Sequence, residues 1–175
     1  MEDKEIHEIC EKYNITNYKI NNGLVDVYDD VKLFGENLTE LPLNFGEIRG
    51  NFQCGVNKLI TLKGCPVRVD GFFSCADNQL TKLDYLPEYI NGNFICNSNL
   101  LKTLDGLEKC WLVGKIICWD NPIHEIFSLF EDKDWNIGEI DRLNMLVKDF
   151  SIEELNEWLM EEGQQPVNEL KNYGV

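Results

Sequence analysis

The stretch GNFQCGVNKLITL, beginning at Gly50, recurs as GFFSCADNQLTKL from Gly71 and as GNFICNSNLLKTL from Gly92. The step is 21 residues each time. Cys54, Cys75 and Cys96 keep it, as do Asn57, Asn78 and Asn99, and Phe52, Phe73 and Phe94. Leu38, Leu59, Leu80 and Leu101 form another column, and Leu41, Leu62, Leu83 and Leu104 a further one. Ile48, Val69 and Ile90 stand two positions before the glycine column Gly50, Gly71 and Gly92. After a one-residue insertion a fourth copy continues with Leu112, Ile116, Cys118 and Asn121. A degenerate copy, Val27, Val31 and Leu33, comes before the first. A fixed period of this length is the mark of a solenoid, in which each unit buries its apolar side only by stacking on its neighbours.

Each unit reads F-x-C-x-x-N-x-L-x-x-L. Phe52 and Cys54 alternate with Asn51 and Gln53, which is the period of a short strand with one buried face. Stacked strands lie about 4.8 Å apart. Cys54, Cys75, Cys96 and Cys118 are therefore expected to form a ladder of buried thiols acting as small hydrophobes. The chain must turn after each strand, which leaves backbone N–H and C=O groups facing inward. An amide side chain offers both donor and acceptor, so Asn57, Asn78, Asn99 and Asn121 are expected to form a second buried ladder. Glycine before each strand suits a sharp turn.

This unit matches the leucine-rich-repeat pattern L-x-L-x-x-N-x-L, with Phe and Cys in the strand leucine slots. The units resemble the short leucine-rich repeats of bacterial secreted ubiquitin-ligase effectors. Over nearly the whole chain, from ICEKYNITNYKINNGLVDVYDDVKLFGENLTELPLNFGEIRGNFQCGVNKL through LKGCPVRVDGFFSCADNQLTKL to the tail containing NPIHEIFSLF and EELNEWLMEEGQQPVNELKNY, the chain resembles small leucine-rich-repeat proteins encoded by tailed bacteriophages. The fold that follows is an α/β solenoid, right-handed, with a 21-residue period and helical caps. Its parts are an N-terminal helical cap (1–21), a degenerate leading repeat (22–37), the leucine-rich repeats (38–122) and a C-terminal helical cap (123–175). The leading copy carries Glu36 in place of the asparagine, and Gly50 has no clean counterpart in the fourth copy; terminal repeats tend to depart in this way.

The ends carry helical signals. Residues 3 to 14 place Ile6, Ile9, Cys10 and Tyr13 on one face. Asn121 followed by Pro122 reads as a helix start, with Ile123, Ile126, Phe127 and Phe130 at helical spacing. A further helix is expected around Ile140, Leu143, Leu146 and Val147. Ser151 with Glu154 makes a capping box for a last helix, and Gly163 a stop.

Composition narrows the function. The 31 acids and 16 bases leave a net charge of -15, which disfavours a direct grip on nucleic-acid phosphates or an anionic membrane. No apolar run approaches the roughly 20 residues a bilayer requires. The acidic start MEDKEIHEIC is not a signal peptide. Seven cysteines, an odd number, then point to free thiols in a reducing cytosol, which for a phage protein is that of an infected bacterium. CxxC is absent, and His7 and His124 are far apart, so neither a metal centre nor another cofactor is expected. No phosphate loop, H-E-x-x-H or G-x-S-x-G is present. Cys65 and Cys110, outside the ladder, are the only candidate nucleophiles, and neither has a local base. The expectation is a non-enzymatic protein-binding module.

The outward strand positions are where a partner is expected. They form three columns: Asn51, Phe72, Asn93, Lys115; then Gln53, Ser74, Ile95, Ile117; then Gly55, Ala76, Asn97, Trp119. Phe72, Ile95, Ile117 and Trp119 aim apolar groups at solvent and are the expected contacts. Asn51, Gln53, Asn93 and Lys115 would add polar specificity. The alternative for Ile117 and Trp119 is cover by the C-terminal helices. The partner implied by the resemblance is a host protein such as a defence factor. Two other classes stay open. Residues 1–37 carry net -5, residues 38–123 net -1 and residues 124–175 net -9. The acidic ends could thus mimic nucleic acid in a basic cleft, or the apolar strand face could pair with itself.

Overall fold

The computed structural model describes residues 1–130, Arg142 and residues 151–173. The helix expected around Ile140, Leu143, Leu146 and Val147 lies outside the described residues. The chain forms a β-solenoid of about four turns whose stacked strands are parallel. Each turn contributes a short strand to each of two sheets. In the six-stranded sheet the order is β1 (Tyr18–Asn21), β2 (Leu24–Val27), β4 (Phe45–Ile48), β6 (Arg68–Val69), β8 (Tyr89–Ile90) and β10 (Trp111–Leu112). The five-stranded sheet runs from β11 (Ile116–Ile117) through β9 (Phe94–Ile95), β7 (Phe73–Ser74) and β5 (Phe52–Gln53) to β3 (Val31–Lys32). Among the described residues only β1 and β2 pair antiparallel, as a hairpin at the N-terminal end.

The 21-residue step is the register of the stack. Val31 pairs with Phe52, Phe52 with Phe73, and Phe73 with Phe94. Phe94 then pairs with Ile116, and Tyr89 with Trp111, both one residue longer than the period. The extra residue falls after Leu107, still in step with Leu86, where a 3-10 turn spans Leu107–Lys109. A tighter helical turn takes up the added residue without disturbing the strands that follow.

The single strand expected for each unit is joined by a second. The column Ile48, Val69, Ile90 is the inward row of the six-stranded sheet, completely buried. The legs that return the chain between strands contain turns and the one 3-10 turn, and no α-helix occurs between residues 22 and 122. Pro42, Pro66 and Pro87 lie in those legs, and proline denies the backbone N–H that a helix interior needs.

One continuous core fills the space between the sheets. Phe52 stacks on Phe73 at 5.7 Å between ring centroids, and Phe73 meets Phe94 at 5.9 Å. Cys54, Cys75 and Cys96 are fully buried beside them, whereas Cys118 in the last turn is half-buried. Removing one of these phenylalanine rings from water is worth about 1.5–3 kcal/mol.

The glycine column has a steric cause. Gly50, Gly71 and Gly92 sit where consecutive turns approach most closely: a Cβ on Gly92 would lie 2.7 Å from Phe72 N and 2.8 Å from the Gly71 carbonyl oxygen. Gly114 occupies the same place against Gly92 and supplies the counterpart that the fourth copy was expected to lack.

At the N-terminal end, α1 (Asp3–Lys12) buries Ile6 and Cys10. Glu2 is its cap, with Glu5 reaching back to the Glu2 N–H at 2.8 Å. After the last strands comes a short helix, α2 (His124–Phe127), preceded by Ile123 rather than capped by the Asn121 side chain, which is committed elsewhere. Helix α3 (Ile152–Glu161) is capped by Ser151, whose Oγ accepts the Glu154 N–H at 3.2 Å, and Gly163 follows its end with φ +73°. Its Trp158 packs on Phe130 with centroids 4.8 Å apart. The Tyr173 hydroxyl donates to the Lys102 carbonyl at 2.8 Å, tying the tail to the repeats.

Candidate recognition faces

The inner asparagines set the shape on which both faces are displayed. Asn78 Nδ2 donates to the carbonyls of Cys75 in its own turn and Cys54 in the preceding one, each at 3.1 Å, while its Oδ1 accepts the Leu59 N–H at 2.9 Å. Asn57, Asn99 and Asn121 repeat the arrangement. Asn78, Asn99 and Asn121 are buried, and Asn57, nearer the N-terminal end, is half-buried. Each amide thus rivets two turns together and satisfies groups that water cannot reach.

Burial favours the protonated form of Cys65, Cys75, Cys96, Cys110 and Cys118. Burial pushes Cys75 and Cys96 well above their ordinary value, with the neighbouring ladder thiols adding to it. Cys65, outside the ladder, is raised by burial and by its contact with Cys54. Burial also raises Cys110 to about 11 and Cys118 to about 12. A nucleophilic thiol needs the opposite displacement. Among the described residues no group of three or more His, Cys, Asp or Glu side chains is placed to hold a metal ion. No helix among them is long and apolar enough to cross a membrane.

The outer face of the six-stranded sheet was not anticipated as a surface. Its arginines are bound to neighbouring carboxylates. Arg49 contacts Glu47 at 2.6 Å and Asp70 at 3.1 Å; Arg68 Nε contacts Asp70 at 2.7 Å, and its guanidinium lies 4.0 Å from the Tyr89 ring centroid. The Asp70 hydrogen bond, aided by Glu47, holds the Arg49 proton more tightly. Trp111 continues the Arg68–Tyr89 row at the last strand and is 73% exposed. It borders an open depression of about 770 Å³ lined also by Glu88, Glu108 and Cys110.

The outer face of the five-stranded sheet carries the expected contact residues. Gln53, Ser74, Ile95 and Ile117 stand in one row, each half-buried, with Ile95 directly paired to Ile117 in the strand register. Trp119 is 53% exposed at the end of the adjacent row, so described neighbours leave about half of it open. That same row begins at Phe34, 61% exposed, a residue not singled out from sequence. Between them the row is Gly55, Ala76 and Asn97. Position 34 was missed because the leading repeat is degenerate; its step of 21 to Gly55 was the available signal.

The corner row, expected to supply polar specificity, also makes hydrogen bonds between turns. Asn51 accepts the Phe72 N–H at 2.9 Å and binds Asp30 Oδ1 through both its backbone and side-chain N–H groups. Asn93 Oδ1 accepts the Lys115 N–H at 3.0 Å. These two amides stitch turn to turn, much as the inner ladder does. Phe72 interrupts the stitching with a half-buried ring, and Lys115 ends the row exposed.

No protein family matches this chain, and comparison with curated proteins and with solved structures finds no match. Sequence pattern and surface chemistry are what bear on its function.

Proposed function

We propose that this chain is a non-enzymatic recognition module of leucine-rich-repeat type that binds a protein partner on the outer face of its five-stranded sheet. The assignment to leucine-rich repeats rests on the F-x-C-x-x-N-x-L unit and its asparagine ladder, with α1 and the C-terminal helices acting as caps against edge-to-edge aggregation. The observation that carries the functional reading is the apolar group formed by the paired Ile95 and Ile117 with the half-open Trp119 beside them. Exposed aromatic and aliphatic groups on a rigid sheet are the usual anchors of a contact surface. The outer face of the six-stranded sheet contrasts with it, because Arg49 and Arg68 there are already paired with Glu47 and Asp70. The resemblance to phage-encoded proteins makes a host protein, such as a defence factor, the class of partner.

The test is capture from a bacterial host lysate by wild type and by a folded Phe72→Asp/Trp119→Asp variant, at low and high salt. The proposal predicts one host protein held by wild type at both salt levels and lost by the variant. Capture that survives the variant and disappears at high salt assigns the interaction to the acidic ends, as a nucleic-acid mimic would require. Light scattering separates self-association, which would give a dimer in the absence of any partner.

A further inference from the structure

The row from Phe34 to Trp119 is built unlike its neighbours. Its two ends are large exposed aromatics, while its middle is Gly55, Ala76 (9% exposed) and Asn97 (6% exposed). A Cβ on Gly55 would meet the Phe34 ring at 3.5 Å and the Ala76 carbonyl oxygen at 3.0 Å, so Phe34 leans over the start of a low lane. Four turn-to-turn steps separate the aromatics, roughly 19 Å at the spacing of stacked strands. An extended chain of about six residues spans that length.

Two further observations point to an occupant. Asn97 is more than nine-tenths buried, yet its amide makes one long contact, Nδ2 to Ser98 Oγ at 3.4 Å. Its Oδ1 accepts no hydrogen bond among the described residues, unlike the four ladder asparagines, and this atom, in contrast to the rest of the side chain, is open to the surface. That leaves an acceptor on the lane floor ready for an incoming N–H. Along one margin stand Asp77 and Asp120, both exposed. Neither carboxylate has an ion-pair or hydrogen-bond partner among the described residues, in contrast to Asp70 on the other sheet.

We infer that this lane holds an extended, basic peptide segment of the partner, lying across the strands. One apolar side chain sits over Ala76 between Phe34 and Trp119, an N–H is donated to Asn97 Oδ1, and Lys or Arg side chains face Asp77 and Asp120. The inference rests on the reading of the five-stranded sheet as the recognition face, and it adds the form and charge of what binds there.

The experiment is selection of random dodecapeptides on the immobilised full chain. Fluorescence polarisation of the best peptide would follow, with wild type, Trp119→Ala, Asn97→Leu and Asp77→Asn/Asp120→Asn. Melting curves check that each variant folds; the double aspartate change touches only exposed side chains. The expected result is enrichment of peptides carrying an apolar residue flanked by Lys or Arg. Binding should weaken at least tenfold in Trp119→Ala and in the double aspartate variant, with the loss in the latter shrinking as salt rises. Enrichment of acidic or uncharged peptides, equal binding by the double variant, or no enrichment over a randomised control overturns the inference. If no peptide is enriched while a host protein is still captured and lost with Phe72→Asp/Trp119→Asp, the face is a recognition surface for a folded partner. The recognition reading then stands and the peptide lane falls.

Discussion

The side-chain amide of Asn78 donates to the carbonyl of Cys54, one full turn earlier, while accepting the Leu59 N–H from the same preceding turn. One residue therefore closes both ends of the bend between two coils. Asn78→Ala orphans the Leu59 N–H in the core, while the Cys54 carbonyl loses one of its two amide donors and keeps Asn57 Nδ2. At about 1–3 kcal/mol for the one orphaned donor and about 1 kcal/mol for the bonds lost to carbonyls, the loss should be about 2–4 kcal/mol, read from urea denaturation. Asn78→Asp keeps an acceptor for Leu59 but sets an anionic oxygen against the Cys54 and Cys75 carbonyls. It should be at least as damaging at pH 7 and partly recover near pH 4. A loss below 0.5 kcal/mol in Asn78→Ala, small for a buried hydrogen-bond network, contradicts the ladder's role.

Val56 stands at φ +52°, in the left-handed region, where the same register position carries Gly35, Asp77, Ser98 and Asp120 in the other turns. A β-branched side chain there is strained by roughly 1–2 kcal/mol. Val56→Asn, a residue that tolerates this conformation, should raise stability by about 1 kcal/mol. Tyr85, at φ +67°, occupies the place held by Gly64 and Gly106. Tyr85→Gly should gain less, about 0.5 kcal/mol, because glycine also loosens the unfolded chain. Unchanged denaturation midpoints in both variants would show that neither backbone is strained.

Alkaline pH should loosen the last turn. Burial raises the Cys118 thiol from 9.0 to about 12 and Cys110 to about 11. In the unfolded chain these thiols ionise near their ordinary value, while in the folded chain they keep their protons. Their contribution is therefore complete below about pH 8 and is lost as pH climbs from about 9 toward the folded values. Urea midpoints of wild type should fall over pH 8.5 to 10.5, and more steeply than those of Cys118→Val. Identical slopes would mean that Cys118 does not titrate differently in the two states.

The columns that announce the solenoid were legible because a repeated core position must be filled the same way each time. Phe52, Phe73 and Phe94 share one environment, and so do Asn57, Asn78 and Asn99. The six-stranded sheet was hidden for a physical reason. Strands such as β6 and β8 are two residues long and show one inward residue each, Val69 and Ile90, so no alternation can appear. The glycine column was visible but its cause was not: backbone contact between turns is a property of the stack, not of one turn. The surface was legible in part. Ile95, Ile117 and Trp119 stood out as apolar residues in outward columns, whereas the self-paired state of Arg49, Arg68 and Asp70 depends on which residues meet across coils. Asn51 and Asn93 look like free polar groups in a column of letters, and only their bonds to Phe72 and Lys115 reveal them as fasteners.

The five-stranded sheet, not the six-stranded one, is the face proposed to meet the partner. A photoreactive benzoyl-phenylalanine placed at Trp119 or, separately, at Trp111 tests this, because both tryptophans are open and belong to the two different sheets of the same last turn. After irradiation in host lysate, a cross-linked partner is expected from position 119 and none from position 111. A partner cross-linked from 111 and absent from 119 would contradict it.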